Sequence, residues 1–331
     1  MLNVLERNGK IRKRFEIKCA IIETLERKRV NLLEKYRQLL SPSAKVLNIY
    51  HKDLDGCASS IVVKNVFSNV YYQDVRYGFV NKLMEKINYN DYDVVLLTDI
   101  SPETPEPFTY ANNIFLLDHH DTASVYHNPQ ENRIVETSKS AAKLARDFFE
   151  TLHGIDLSYL KSFCDAVNDY DLWINKNPDG WKLNELYFKY WDETFRRRFK
   201  NGDINFTTSE ISYVKERQTI LKEKIESLDL YEMDSVNAAF FFSTNFVNDV
   251  CHAVLSKGFD FVICINPKSK NCSVRASTNI DIHVGDLLKT IELGGGHPHA
   301  GGFMYDNNSD VERNIEKIEK YLYMNYEKIR R

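Results

Sequence analysis

Four short apolar runs, VLNIY (46–50), NVYY (69–72), DVVLL (93–97) and NIFLL (113–117), are separated by stretches with helical spacing. Apolar runs of this length without polar alternation are strands buried on both faces. Strands that alternate with helices imply a mostly parallel sheet covered by helices. ASSIVVKNVF (58–67) and TSKSAAKLARDFFETLHG (137–154) read as such helices, the second stopped by Gly154. Parallel strands all point one way, so whatever follows each run lies on a single sheet edge. That is the carboxyl edge, where α/β proteins place their sites.

Three of these edge positions carry unusual side chains. VLNIY runs into His51, Asp53 and Asp55; VVLL runs into Thr98-Asp99-Ile100-Ser101; NIFLL runs into Asp118-His119-His120-Asp121. One aspartate after a strand is often just a helix cap. Carboxylates and imidazoles at three successive strand ends are poorly explained that way, because converging carboxylates repel unless a cation lies between them. Oxygen and nitrogen ligands without thiolates suit hard or borderline divalent ions, manganese or magnesium first, with cobalt, iron or zinc as alternatives. The ligands are too many for one ion that must keep an open position. Two ions sharing a carboxylate fit better, and such pairs activate water and clamp phosphates.

The remainder of the 331-residue chain bounds this reading. A formal charge of −3 argues against a protein that coats long nucleic acid. The six cysteines (19, 57, 164, 251, 264, 272) show no C-x-x-C spacing, and no long apolar stretch is present. These features suggest reduced thiols in a cytoplasmic protein with no membrane partner. Residues 1–45 form a helical extension, with Ile17, Ile21 and Leu25, then Leu32, Leu33, Tyr36 and Leu40 on its apolar face. Residues 46–205 form the metal-binding domain, and its aromatic end, 171–205, reads as an irregular cap or side wall. A connector helix at 206–232 opens on a Thr207/Glu210 capping box. Its seam of Ile211, Val214, Gln218, Leu221, Ile225 and Leu228 packs within the chain or pairs two copies into a homodimer. Residues 233–331 form a smaller α/β domain: strands AAFFF, FVICI and CSVRAS, helix VGDLLKTIEL, the loop GGGHPHAGG and a terminal helix.

HKDLDGCAS, TDIS and DHHDT resemble, in order, the first three motifs of the DHH phosphoesterase family, and GGGHPHAGG resembles the glycine-rich signature of its DHHA1 partner domain. The likeness spans residues 46–305. It implies a two-metal phosphoesterase, most often manganese-dependent, with the active site in a cleft between the domains. By that resemblance His51 and Asp53 bind one metal, Asp55 and His119 the other, and Asp99 bridges them. His120 faces the scissile phosphate as donor or acid. A fourth motif supplies one more aspartate from DAVNDYDLW, where Asp165, Asp169 and Asp171 compete; AVND best mimics the pattern, which favours Asp169 over Asp171. Arg275, Gly295, Gly296 and His297 are then the substrate-binding groups, the glycines admitting an anion to the backbone. The family includes RecJ-type exonucleases, oligoribonucleases, nucleoside bisphosphate phosphatases, cyclic-dinucleotide phosphodiesterases and family II pyrophosphatases. The DHHA1-like ending and modest charge favour short oligonucleotides or dinucleotides, including products of cyclic dinucleotides. The alternatives are a nucleoside 3′,5′-bisphosphate phosphatase and a non-catalytic nucleotide-binding module.

Overall fold

A computed structural model describes residues 29–289, 294–296 and 298–329. The helix expected around Ile17, Ile21 and Leu25, the end of VGDLLKTIEL, Cys19 and His297 lie outside the described residues. The chain divides into two compact units with the boundary at Asn205–Phe206. No helix among the described residues is long and apolar enough to cross a membrane.

The first unit opens with helix α1 (29–39), whose Tyr36 and neighbouring Leu40 are buried. Tyr36 also donates its hydroxyl to the carbonyl of Pro129 and sets its ring edge-on to Phe115, 5.0 Å between centroids. Then follow β1 (Lys45–His51), α2 (Leu54–Val66), β2 (Asn69–Val75), α3 (Val80–Met84), β3 (Val94–Thr98), β4 (Ile114–Asp118), β5 (Arg133–Val135), α4 (Ala141–His153), α5 (Lys161–Asp171) and α6 (Pro178–Phe199). The strands form one sheet in the order β2-β1-β3-β4-β5, parallel throughout. Every residue of β3 and β4 is buried, as expected for strands covered on both faces. From β1 the chain steps to β2 on one side and then returns to β3 on the other. The reversal leaves a crevice beyond the carboxyl ends of β1 and β3, where such sheets bind ligands.

Helix α2 is buried almost all round, from Leu54 to Val63, and begins directly behind the end of β1. The approach is close enough that a Cβ on Gly56 would lie 2.0 Å from the His51 carbonyl oxygen, so only glycine fits there. Gly154 ends α4 in the left-handed conformation (φ 64°), as expected. The irregular cap expected over 171–205 is instead mostly the long helix α6. Asn177 caps it by accepting the Asp179 N–H at 3.0 Å, and Pro178 occupies its first turn. A break at Trp191 (φ 57°, ψ 175°) interrupts it. Three of its aromatics, Tyr187, Phe195 and Phe199, are fully buried, Phe199 stacking on Phe163 at 5.8 Å, while Phe188 and Trp191 are exposed.

The second unit comprises α7 (Thr208–Glu226), β6 (Tyr231–Glu232), β7 (Ala238–Phe242), α8 (Val247–Leu255), β8 (Phe261–Asn266), β9 (Asn271–Ala276), α9 (Val284–Leu288), β10 (Gly294–Gly296), β11 (Ala300–Met304) and α10 (Asn308–Ile329). Its sheet runs β10-β11-β9-β8-β7-β6, with β7 and β8 parallel across α8 and the remaining pairs antiparallel. The capping box forms: Thr207 Oγ1 accepts the Glu210 N–H and Glu210 accepts the Thr207 N–H at 2.7 Å. Along the expected seam Val214 is buried, Leu221, Ile225 and Leu228 are half-buried, and Ile211 and Gln218 are exposed. The glycine-rich loop proves to be an antiparallel pair of strands, Gly295 opposite Gly302 and Gly296 opposite Gly301. Close backbone packing explains most of these glycines. A Cβ would meet Gly301 Cα at 2.3 Å from Gly296, and the Gly295 carbonyl oxygen at 2.6 Å from Gly301. Gly295 alone of the three faces open space.

Candidate metal centre

The carboxyl edge of the first sheet brings the expected side chains together. His51 closes β1, and its Nδ1 lies 2.7 Å from Asp53 Oδ2 and 3.8 Å from Asp99 Oδ2. His119, just past β4, places Nε2 3.0 Å from Asp99 Oδ1, 3.6 Å from Asp55 Oδ2 and 3.4 Å from Asp171 Oδ2. Three overlapping ligand groups result, His51/Asp53/Asp99, Asp55/His119/Asp171 and Asp99/His119/His120, each with its ligand atoms mutually within 4.8 Å, and the first two share no residue. Asp99 stands between them, touching a histidine of each. It holds that place in a left-handed conformation (φ 63°) rare for a residue with a side chain. Such strain persists where the surroundings enforce it, and it clusters at functional sites.

Two of the carboxylates are caps after all, contrary to the expectation. Asp53 caps α2 through Oδ1, accepting the Gly56 N–H at 3.0 Å. Asp55 accepts the Ala141 and Ala142 N–H groups at 2.6 and 3.0 Å, at the positive end of α4. The caps anchor these two side chains and leave Asp53 Oδ2 and the Asp55 carboxylate directed at the histidines. Asp169, the expected fourth-motif aspartate, is not among these groups. It accepts N–H groups from Lys176 and Asn177, both at 2.9 Å, and closes the turn after α5. Asp171, at the end of the same helix, joins the cluster in its place.

The electrostatics are those of crowded acids. Burial, then the neighbouring aspartates, push Asp99 well above the usual carboxylate range; burial and Asp55 push Asp171 up to about 8. Burial likewise raises Asp55 despite His119 and the Ala142 N–H. For Asp53 burial acts upward, but His51 and the Gly56 N–H outweigh it and hold the group low. His51 Nδ1, Asp99 Oδ2 and Asp171 Oδ2 are buried yet form no well-directed hydrogen bond among the described residues. Buried polar atoms are normally satisfied, and these three converge with oxygen and nitrogen donors only. The donor set fits hard or borderline divalent cations.

His120, besides its group with Asp99 and His119, takes part in a second arrangement. Asp118 accepts the His119 N–H at 2.7 Å and lies 2.7 Å from His120 Nδ1, while its other oxygen accepts the Ser101 hydroxyl at 2.5 Å. Burial opposes it, but the two histidines and Ser101 hold this carboxyl low, so it acts as an acceptor for an Nδ1–H. His120 Nε2 lies 2.6 Å from the hydroxyl of Tyr77, whose ring also packs against His51 at 4.7 Å. Tyr77 belongs to no motif in the sequence; its signal is position, because it follows the end of β2 at the same sheet edge.

In the second unit, Arg275 on β9 donates to the carbonyls of Val274 and Gly301 at 2.8 and 3.2 Å and to Asn248 Oδ1 at 2.6 Å. Gly295 and Gly296 lie in β10, separated from β9 by β11.

No family model matches the chain. A curated protein, the 3′,5′-cyclic-nucleotide phosphodiesterase of Helicobacter pylori, is 21% identical over 83% of this chain and 98% of its own length. Among solved structures, the DHH domain of a protein described as a member of a ribosomal protein family is similar with a TM-score of 0.63 at 12% identity, covering 91% of this chain and 92% of that one. The pGpG-specific phosphodiesterase PggH from Vibrio cholerae gives 0.54 at 16%, over 85% and 99% of the two chains. RecJ from Thermus thermophilus, crystallised with Mn²⁺, gives 0.57 at 14%, over 88% of this chain and 54% of that longer one. The α/β chain with its parallel five-stranded sheet has the fold of the DHH phosphoesterases, the group related to RecJ.

Proposed function

We propose that the chain is a metal-dependent phosphodiesterase acting on short oligonucleotides or dinucleotides. The observation that carries the reading is the position of Asp99 between two ligand groups at the carboxyl edge of the sheet, 3.8 Å from His51 of one and 3.0 Å from His119 of the other. His51, Asp53 and Asp99 would hold one divalent ion, and Asp55, His119, Asp171 and Asp99 a second, manganese being the first choice. Bound there, such ions supply an activated water and charge neutralisation at phosphorus. The protein's own part is to fix the ligands through the two helix caps and the strained Asp99, and to hold His120 by Asp118 toward the reacting phosphate. Relatives with phosphodiesterase and exonuclease names support the class of reaction. Arg275 and the backbone at Gly295 and Gly296 are proposed to contact the nucleotide.

The test is a product assay on purified protein with manganese, using a 5′-phosphorylated diribonucleotide, a five-nucleotide RNA, a cyclic dinucleotide, a nucleoside 3′,5′-bisphosphate and pyrophosphate. Mononucleotide release from the short RNAs is expected, and Asp99→Ala should lower it by about 10³-fold or more, the scale of a lost electrostatic centre. Phosphate release from the bisphosphate or pyrophosphate alone would sink the phosphodiesterase reading.

A further inference from the structure

We propose that Tyr77 is a catalytic residue that passes the proton of His120 to the leaving oxygen; the inference rests on the phosphodiesterase reading above. Its basis is which atom of the Asp118–His120 arrangement an incoming substrate meets. The imidazole is nearly enclosed, 12% exposed, with Nδ1 committed to Asp118. Its outward nitrogen, Nε2, has the Tyr77 hydroxyl 2.6 Å away. Tyr77 itself is 46% exposed. The chain Ser101–Asp118–His120–Tyr77 therefore ends in a hydroxyl, and it is this hydroxyl that the proposal sets against the leaving oxygen. The Tyr77 ring lies tilted against His51, so the hydroxyl is held beside the ligand groups.

The step balances without further reagents. The oxygen of water bonds to phosphorus and gives up a proton to solvent, and the bond from phosphorus to the leaving oxygen breaks with its electron pair on that oxygen. The leaving oxygen takes the Tyr77 proton, and the Tyr77 oxygen takes a proton carried on Nε2 of His120. The imidazole regains a proton from solvent before the next turnover. A hydroxyl can serve as such a relay because it donates and accepts at once.

Tyr77→Phe removes the hydroxyl and keeps the ring against His51. With a 5′-phosphorylated diribonucleotide, kcat should fall by about 10²-fold, within the range for lost general acid catalysis, with KM little changed. On the p-nitrophenyl ester of a nucleoside 5′-monophosphate, whose leaving group departs without a proton, the fall should be smaller by at least roughly ten-fold. His120→Gln should show the same substrate dependence, and the double variant should be no slower than the slower single one. Manganese titrated calorimetrically into Tyr77→Phe should bind as in the unaltered protein. Equal losses on the two esters, additive losses in the double variant, or lost metal binding would overturn the relay. An unaltered protein that cleaves neither ester overturns the phosphodiesterase reading and the relay with it. An active protein indifferent to Tyr77→Phe overturns the relay alone.

Discussion

Asp169 and Asp171 differ by two positions and by everything that matters. Two residues along a helix turn the side chain through about 200°, so one of the pair faces the sheet edge and the other faces away. NDYDLW displays both aspartates, but the phase of α5 against the sheet is a tertiary quantity that no local pattern encodes. The rest of the site was legible because strands fix direction: once His51, Asp99 and His119 follow parallel strands, their convergence is unavoidable. Asp171→Asn removes a carboxylate from the ligand group and should weaken manganese binding by about 100-fold or more, beyond what outer partners usually cost. Asp169→Asn should leave that affinity within a few-fold. It weakens the acceptor for the Lys176 and Asn177 N–H groups, at a cost of about 1–3 kcal/mol in stability. Calorimetric metal titration beside thermal melts separates the two; a metal defect confined to Asp169→Asn would reverse the assignment.

At the scale of elements, alternation of apolar runs and helical stretches located β1 to β4, α2 and α4 to within a few residues. Several elements escaped, the short α3 and β6 among them, and two show why. β5, three residues long, has too few positions to show a pattern. α6 was hidden because its aromatics suggested a wall, whereas Tyr187, Phe195 and Phe199 are core residues on a helix. The glycine-rich segment was read for anion binding, yet close packing requires Gly296 and Gly301 as glycine. A Cβ on Gly301 would lie 2.6 Å from the Gly295 carbonyl oxygen and 2.7 Å from Leu288 Cδ1. Gly301→Ala should therefore cost about 1–3 kcal/mol, as overpacking does. Gly295 meets nothing within 4 Å, so Gly295→Ala should melt like the unaltered protein. If its open face receives the nucleotide, as proposed, the added methyl should raise KM by roughly ten-fold, the scale of one disturbed contact of about 1.4 kcal/mol. A lowered melting temperature with unchanged KM would assign Gly295 to packing only.

Over the whole molecule, the crowded acids make stability depend on pH in a direction that the metal should reverse. In the metal-free chain Asp171 titrates near 8, and Asp55 and Asp99 are also raised, because burial and mutual repulsion favour the neutral acids. A raised folded pKa means that the folded state keeps its proton where the unfolded chain, near the ordinary carboxylate value of 3.8, has lost it. Stability from these groups is complete below that value and declines as pH rises through 8. His51 and His119, which are raised by neighbouring aspartates against the effect of burial, add to the same decline above their ordinary value. Asp53 and Asp118, held low, contribute fully above the ordinary carboxylate value and weaken only in acid. Metal-free protein should accordingly melt lower at about pH 8 than at about pH 5.5. Manganese binds the deprotonated carboxylates and the neutral imidazoles, so its affinity should rise over the same interval. At about 100 times Kd it stabilises the folded state by about 2.7 kcal/mol, roughly 5–10 °C for a domain of this size. The increment in melting temperature on adding manganese should thus be small at the acid end of that interval and large at the alkaline end. The same series on Asp99→Ala should be nearly flat. An increment that shrinks as pH rises would mean that the cluster is a set of shared protons and helix caps rather than a seat for cations.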